Sequence, residues 1–336
     1  MRVGLCYDRF GDTPHPPGAP PDWDAEYEPE ETVVALEDAL RLLGHTPVRL
    51  GNARALLAAL ASAVPNGVAR GPLGVDAAVN IAESYGSRNR EAHVPVLLEL
   101  AGVPCIGSDA LSLSLSLDKH LTKTVVAAAG VAVPAGVVIP PGADAEAAVR
   151  DLSFPLMVKP RYEGTAKGIA PSSRCSTPAE LLAETRRQHQ LYGQDLVAET
   201  FVDGAEWTVG VVGTGAGARA LPALQRAIDP ESGIGTHALG DIDGEVAGAL
   251  TADLDAALAD AAVAAHRALD CRDFSRSDFR VGPDGRPVFV EINPLPTFAP
   301  DGTFAILAEL DGRPYPEFLA DVLADALARL AVPERG

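Results

Sequence analysis

The sequence predicts an α/β protein, with α+β character in its later part, built from three consecutive units. Strand-like and helix-like segments alternate through residues 1–107, which is typical of a parallel sheet covered by helices. The chain has 336 residues, more than one small core usually holds and enough for two or three domains. Its composition, 47% hydrophobic and 22% charged, is that of an ordinary globular protein.

The first unit, residues 1–107, is expected to be the parallel α/β part. Pro29 is expected to open its first helix and Gly44 to end it, because proline suits the first helical turn and glycine the position after the last. In chain order we expect a strand at 2–6, a loop at 11–24, the helix 29–44, a strand at 48–50, a helix near 53–63, a strand at 75–81, a helix near 89–101 and a short strand at 104–106.

The second unit, residues 108–202, contains an apolar strand that runs into a glycine-rich loop. The strand FPLMVKP ends at Lys159 and Pro160, and the loop RYEGTAKGIA follows. Thr177 and Glu180 have the spacing of a capping box and predict the start of a helix. The remaining expected elements are a helix at 116–129 that ends at Gly130, a strand at 135–139, a short helix and a strand at 196–202.

The third unit, residues 203–336, is predicted to be mostly antiparallel. We expect strands at 206–212 and around 220–228, a loop to about 244, a helix at 251–269, a hairpin at 275–296 and a final amphipathic helix at 315–330. The hairpin has the sequence SRSDFRVGPDGRPVFVEINPLP, in which Asp-Gly supplies the turn.

The two faces of this hairpin differ in polarity. With a loop at 283–286, antiparallel pairing places Asp278 opposite Glu291, Arg276 opposite Asn293 and Arg280 opposite Phe289. The polar face then carries Arg276, Asp278, Glu291 and Asn293, and the core face carries Phe279, Val281, Val288, Val290 and Ile292. A solvated face on which Arg276 neutralises the acids is one interpretation. The other is a divalent cation bound by Asp278, Glu291 and Asn293, whose oxygen atoms suit Mg²⁺.

Lys159 and Glu199 each allow either a structural or a ligand-binding interpretation, and Lys119 and Lys123 favour a structural one. Lys159 is either a surface residue at a strand end or a phosphate ligand beside the glycine loop, whose backbone N–H groups can bind an anion. Glu199 lies in the apolar run LVAETFV, where an acid is costly unless it accepts hydrogen bonds. The alternative is an edge strand with Glu199 in solvent. Lys119 and Lys123 lie one turn apart, a spacing typical of an exposed helix face.

Charge and cysteine usage exclude several kinds of partner. The net charge of −19 and the pI of about 4.7 argue against nucleic acid or an anionic membrane as the main partner. Cys6, Cys105, Cys175 and Cys271 form no CxxC pair, so we expect free thiols in a reducing cytoplasm. We find no signal-peptide pattern and no apolar stretch long enough to cross a bilayer.

The ordered set of motifs resembles the ATP-grasp superfamily and, within it, the D-alanine–D-alanine ligase family. These motifs are DKHLTK, FPLMVKP with its glycine loop, LVAETFVDGAEWTV, and RSDF with VEIN. The resemblance implies an ATP-grasp fold with an N-terminal parallel-sheet domain (1–107), a central subdomain with a phosphate lid (108–202) and a C-terminal subdomain with a magnesium-binding hairpin (203–336). It also implies a cytoplasmic homodimer.

The resemblance implies a carboxylate–amine ligase that uses ATP and forms an acylphosphate. By similarity to the family motifs, the ATP-binding residues are Lys119, Lys159, Gly164, Thr165, Ala166, Glu199, Thr200, Val202 and Glu206. The implied metal ligands are Asp278, Glu291 and Asn293, which would bind two Mg²⁺ ions. Mn²⁺ is expected to be able to substitute for Mg²⁺. Arg276 and Lys159 are the implied catalytic residues.

The chain departs from the wall-synthesis enzymes of this family on the amino-acid side and in the lid. Thr165–Ala166 replaces a pair of serines, Thr200 replaces a lysine, and no acid of the early segment CYDRFGDTPHPPG matches the family pattern. We therefore expect an amino-acid-derived or specialised carboxylate and an amine other than those of wall synthesis. The candidate substrate contacts are Arg88, Arg90, Arg226, His237 and Thr297. The alternatives are a non-catalytic ATP-binding scaffold or sensor, and a dinucleotide-dependent oxidoreductase, which the missing GxGxxG motif disfavours.

Overall fold

The computed structural model describes residues 1–62, 72–236 and 250–330. The first sheet is parallel, with strand order β2-β1-β3-β4, as the alternating pattern predicts. Its elements are β1 (Arg2–Tyr7), α1 (Glu30–Leu42), β2 (Thr46–Gly51), α2 (Ala53–Ser62), β3 (Ala77–Ile81), α3 (His93–Leu100) and β4 (Cys105–Ile106). Pro29 is the N-cap of α1, and Gly44, just beyond its end, has a φ of +76°, so both predicted helix boundaries are confirmed.

Two helices lead from the first sheet to the second, where the sequence predicts one. They are α4 (Ala110–Leu117) and α5 (Lys119–Ala128). The predicted single helix 116–129 is wrong because Asp118 adopts extended backbone angles and caps α5, its side chain accepting from the backbone N–H groups of His120 and Leu121. This break places Lys119 in the first turn of α5.

The second sheet is antiparallel and has the order β5-β8-β6-β7. Its elements are β5 (Gly136–Ile139), α6 (Ala145–Ala148), β6 (Leu156–Pro160), β7 (Arg174–Cys175), α7 (Pro178–Tyr192) and β8 (Leu196–Thr200). Thr177 caps α7, as predicted, by accepting from the backbone N–H of Glu180. Strand β8 lies between β5 and β6, so the edge-strand interpretation of Glu199 is wrong.

The third sheet has the order β10-β9-β12-β13, with β11 also paired to β9. Its elements are β9 (Ala205–Val212), β10 (Arg219–Ala220), β11 (Leu224–Arg226), α8 (Ala252–Ala268), β12 (Phe274–Val281) and β13 (Pro287–Asn293). The strand expected around 220–228 is divided into β10 and β11. Helix α8 packs on this sheet through Leu258, Ala262 and Ala265.

The β12–β13 hairpin contains a bulge that the sequence pattern does not predict. Arg276 pairs with Asn293 and Asp278 with Glu291 as expected, but Phe279 pairs with Phe289 and Arg280 with Val288. The predicted pairing of Arg280 with Phe289 is therefore wrong, because the register shifts between Asp278 and Phe279. The bulge turns Phe289 into the core, and Val288 and Val290, predicted to be core residues, line a cavity instead.

The C-terminal helices pack on the first sheet. They are α9 (Thr303–Leu310) and α10 (Tyr315–Leu330), and Phe304, Phe318 and Leu323 join Leu5 and Leu36 in one core. The last described helices thus contact the first unit. The division at residues 107 and 202 stays a prediction. Within the described ranges, no helix has both the length and the apolar character that crossing a membrane requires.

Candidate active site

The polar face of the hairpin is held rigidly by its neighbours. Asp278 is 7% exposed and accepts hydrogen bonds from Thr208 Oγ1 at 2.5 Å and from Arg276 Nη2 at 3.2 Å. Thr208 lies on the adjacent strand β9 and also accepts from Arg226 Nε at 3.2 Å. The position of the Asp278 carboxylate is therefore set by the sheet on both sides.

A cavity between the second and third sheets brings most of the predicted nucleotide residues together. It encloses about 1160 Å³ of space free of protein atoms, counted out to its mouth. The predicted residues that line it are Lys119, Lys159, Thr165, Ala166, Glu199, Thr200, Val202, Glu206, Arg276, Asp278 and Glu291. Met157, Ile169, Val288 and Val290 give the same cavity apolar walls. The cavity can therefore accommodate a ligand that has a flat apolar group at one end and a charged group at the other.

Glu199 is buried between two lysines. Its Oε2 lies 2.5 Å from Lys123 Nζ and its Oε1 lies 2.7 Å from Lys159 Nζ. Burial disfavours its charged form, but the two ammonium groups outweigh burial and lower the pKa of Glu199. Burial lowers the pKa of Lys123 to about 8. The pKa of Lys159 is raised, because the charges of Glu199 and Glu291 outweigh the effect of burial.

Glu206 is held by Arg280 at one end of the same cavity. Arg280 Nη1 lies 2.9 Å from Glu206 Oε2, and its Nη2 donates to the carbonyl of Gly233 at 2.7 Å. The guanidinium also stacks 5.2 Å from the centre of the Phe201 ring. Phe201 and Glu206 thus form one fixed wall of the cavity.

The glycine loop, residues 161–170, is attached to the early loop of the first unit. Glu26 accepts from Gly164 N at 2.7 Å and forms ion pairs with Lys167 Nζ and Arg90 Nη2, each at 2.6 Å. A Cβ on Gly164 would lie 2.5 Å from Glu26 Oε1, so this contact requires glycine. Thr165 and Ala166 have positive φ values of 45° and 55°, which non-glycine residues rarely adopt.

A second, smaller cavity adjoins the first near the hairpin. It encloses about 540 Å³ and shares Lys119, Thr165, Arg276 and Glu291 with the first. Its remaining lining residues include Gly164, Asn293 and Pro294, together with three buried acids, Glu26, Glu83 and Glu91. The Oδ1 atom of Asn293 accepts from Leu295 N at 2.8 Å, which orients its amide at the end of β13.

The donor set on the hairpin fits a divalent cation. Asp278 and Glu291 lie directly opposite each other on paired strands, and carboxylate and amide oxygens are the usual Mg²⁺ ligands. Burial opposes the charge of Glu291, but Lys119 and Lys159 outweigh it and lower its pKa to about 2. Lys119 Nζ is 3.7 Å from Glu291 Oε2. Glu291 is therefore ionised at neutral pH.

The four predicted substrate contacts that the structure describes do not line either cavity. Arg88 is exposed and contacts the ring of Tyr162, while Arg226 is buried and donates to Thr208 and Thr303. Thr297 Oγ1 donates to Glu28 Oε2 at 2.8 Å. Arg90, the fifth candidate, is buried in the ion pair with Glu26. His237 lies outside the described residues.

Sequence reasoning missed several residues of this site. Lys123 is buried, and its helical spacing from Lys119 was the available signal, interpreted as an exposed face. Lys167 lies in the glycine loop and Arg280 on the hairpin, but their partners are distant in sequence. The early acid of the family pattern has two candidates in the structure, Glu26 beside the glycine loop and Glu28 beside Thr297.

The sequence matches a protein-family model and several known proteins. Residues 126–324 match the family model described as the D-ala D-ala ligase C-terminus. The D-alanine–D-alanine ligase of Cupriavidus taiwanensis is 33% identical over 245 residues, covering 72% of this chain and 73% of that protein. An uncharacterized protein of Sinorhizobium fredii is 28% identical over 94% of this chain and 91% of its own length.

Solved structures share the fold over nearly the whole chain. The VanG D-Ala:D-Ser ligase of Enterococcus faecalis superposes with a TM-score of 0.73 at 18% identity, covering 97% of this chain and 99% of its own. The D-alanine–D-alanine ligase of Bacillus anthracis complexed with ATP gives a TM-score of 0.70 at 20% identity, covering 98% and 97%. At these identities the likeness concerns the fold alone.

Proposed function

This chain belongs to the D-alanine–D-alanine ligase family of ATP-dependent ligases, and on that premise we propose that it joins a carboxylate to an amine, using ATP and Mg²⁺ and forming an acylphosphate. One observation carries the proposal. The hairpin residues Arg276, Asp278 and Glu291 line the same cavity as Lys159 and Glu199. Phosphoryl transfer requires positioned positive charge more than covalent help, and Lys119, Lys159 and Arg276 supply such charge in this cavity.

The nucleotide end of the cavity suits adenosine. Met157, Ile169 and Val288 offer an apolar slot for a base. In our proposal Glu199 and the backbone groups of Thr200 and Val202 recognise the base, and Glu206 accepts from the ribose hydroxyls. Both carboxylate oxygens of Glu199 already accept from lysines, but each retains a free lone-pair direction.

The phosphate end is proposed to lie between the hairpin and the glycine loop. Lys119 and Lys159 supply positive charge, and Gly164, Thr165 and Ala166 cover the phosphates. Asp278, Glu291 and Asn293 would hold Mg²⁺ in two sites, with Mn²⁺ as a substitute. When bound, the metal would neutralise the charge of the transferred phosphoryl group.

The proposed reaction has two covalent steps. A substrate carboxylate oxygen forms a bond to the γ-phosphorus as the bond to ADP breaks. The amine nitrogen then bonds to the acyl carbon, and inorganic phosphate leaves. Arg276 lines both cavities, so its guanidinium is placed to stabilise the negative charge that develops in each step, and Lys159 assists in the first. The homodimer implied by the resemblance is part of the proposal, and the mass in solution tests it.

The substrates are proposed to differ from those of wall synthesis. Thr165–Ala166 and Thr200 depart from the family pattern at positions that line the cavities. In addition, the D-alanine–D-alanine ligase of Cupriavidus taiwanensis aligns over 72% of this chain, whereas the uncharacterized Sinorhizobium protein aligns over 94%. An amino-acid-derived acid and amine fit a site with this many fixed charges.

An ADP-release assay with Mg²⁺ and a panel of D- and L-amino acids, each supplied as acid and as amine, tests the proposal. Release that depends on one particular pair supports a ligase. Tight ATP binding with no turnover for any pair favours the alternative, a nucleotide-binding scaffold or sensor. The alternative does not explain why a binding protein would retain a buried Asp278 with its Thr208 and Arg276 contacts.

A further inference from the structure

The smaller cavity contains a buried carboxylate that has no partner in the protein. Glu83 is 7% exposed and follows directly after β3. Within the described ranges its carboxylate has neither a hydrogen bond nor an ion pair. Burial raises the pKa of Glu83 well above its ordinary value, and the neighbouring charges of Glu91 and Glu26 raise it further. An unpaired buried acid is costly, so its retention points to a ligand.

Glu91 is a second acid with weak compensation. It is 6% exposed, and its nearest cation, Arg90 Nη2, lies 3.9 Å from its Oε1. Burial raises the pKa of Glu91 to about 7, against the opposing charge of Arg90. Ligand atoms of Glu26, Glu83 and Glu91 lie within 4.8 Å of one another. The charged groups that face this pair are Glu26, Arg90, Lys119 and Lys167.

The third acid of the group is already paired with two cations, which decides what the other two can bind. Glu26 Oε1 accepts from Arg90 Nη2 and from the backbone N–H of Gly164, and its Oε2 forms an ion pair with Lys167 Nζ. A divalent ion shared by all three acids would lie beside two protein cations. A single ammonium group instead donates up to three hydrogen bonds and needs only the oxygens that Glu83 and Glu91 leave free.

We propose that Glu83 and Glu91 bind the ammonium group of the amine substrate and accept the proton that it loses before attack. This inference rests on the proposed ligase function. The opposite wall of the cavity carries Arg276 and Asn293, so an amine held by this pair faces the acyl centre. The nitrogen gives one proton to the carboxylate pair, and from there to solvent. As the C–N bond forms and the C–O bond breaks, the second proton goes to the departing phosphate.

A comparison of two acceptors separates this proposal from the proposed function. Hydroxylamine, which is largely uncharged at neutral pH, traps an acylphosphate as a hydroxamate, whereas an amino acid must be bound as an ammonium ion and deprotonated. In both reactions the carboxylate substrate is an amino acid from the panel. The acceptor is hydroxylamine in one reaction and an amino acid from the same panel in the other. Glu83→Gln and Glu91→Gln are compared with Glu99→Gln, which neutralises an exposed acid on α3.

The quantity compared is kcat/KM for the amino-acid acceptor divided by the rate of hydroxamate formation. We expect this ratio to fall about 30-fold or more in Glu83→Gln and in Glu91→Gln. Glu83→Asp should recover part of the loss, and Glu99→Gln should behave as the wild type. In the wild type, amide formation should rise with pH through about 7, because Glu91 must lose its proton to act. Glu91→Gln should lose this inflection.

The outcomes are distinguishable. No hydroxamate from the wild type with any carboxylate overturns the proposed function and, with it, this inference. Hydroxamate formation with amide formation within about 3-fold of the wild type in Glu83→Gln overturns the inference alone. If the variants instead raise KM for the carboxylate substrate in the hydroxamate reaction, the inference is also overturned, because Glu83 and Glu91 would then bind the carboxylate substrate.

Discussion

Replacing Glu199 by Gln removes the negative charge that compensates two buried lysines. The side chains of Lys123, Lys159 and Glu199 are each 9% exposed or less, and both ion pairs are 2.7 Å or shorter. Breaking a buried pair by removing one partner costs about 3–5 kcal/mol. We therefore expect Glu199→Gln to lower the free energy of unfolding of the protein by that amount at neutral pH, and to weaken ATP binding.

The pH dependence of this loss follows from the direction of the pKa shift. The pKa of Glu199 is lower in the folded protein than its ordinary value of 4.5, so its stabilising contribution is present above that pH and is lost as the pH falls through the folded value. The difference in stability between the wild type and Glu199→Gln should accordingly shrink in acid.

A second substitution tests the stated cause. Adding Lys123→Met to Glu199→Gln removes one of the two unpaired cations and should recover part of the lost stability. This recovery should grow as the pH falls, because burial lowers the pKa of Lys123 to about 8 even with the Glu199 charge raising it, and loss of that charge lowers the pKa further. Urea unfolding followed by tryptophan fluorescence measures these changes. Glu146→Gln, an exposed control in the same unit, should differ from the wild type by less than about 0.5 kcal/mol. A Glu199→Gln protein within about 1 kcal/mol of the wild type would refute the reasoning.

Three further substitutions test other contacts of the site. Asp278→Asn should keep the fold, as judged by circular dichroism and melting temperature, and lose at least about 100-fold in turnover; an active variant would remove the proposed metal role. Arg280→Met should release Glu206 and raise KM for ATP about 10-fold with little change in kcat, and an equal fall in kcat would argue against a binding role. Glu26→Gln removes one of two carboxylates that hold Lys167, so amide hydrogen exchange in the glycine loop should accelerate; unchanged exchange would mean that the loop is held by other contacts.

Local sequence chemistry predicts most of the framework of this protein. Proline and glycine at the ends of α1, the capping residue Thr177 and the Asp-Gly turn of the hairpin each act within a few residues, so their effects can be derived from the sequence. Alternation predicts the hairpin pairs Asp278–Glu291 and Arg276–Asn293. The bulge beyond Asp278 is not predictable from period-two alternation, because an extra residue on one strand leaves no local signal.

The charges of the site were harder to predict because their partners are distant in the chain. Lys123 has the spacing of an exposed helix face, yet it is buried by β8 through its pair with Glu199, 76 residues away. Glu26 belongs to a loop with no regular pattern; its partner Arg90 is 64 residues away, and its partners Gly164 and Lys167 lie beyond the first unit. A local sequence pattern can identify a charged side chain, but it cannot predict the tertiary contact that determines the environment of that side chain.

Transfer of oxygen from the carboxylate to phosphate tests the central claim most directly. A carboxylate that supports hydroxamate formation is labelled with ¹⁸O and incubated with the wild type, ATP, Mg²⁺ and the amine, and the products are analysed by mass spectrometry. We predict one ¹⁸O atom in inorganic phosphate for each amide formed, since the acylphosphate bridge oxygen leaves with phosphate. Unlabelled phosphate, or label in AMP, would contradict the proposed reaction.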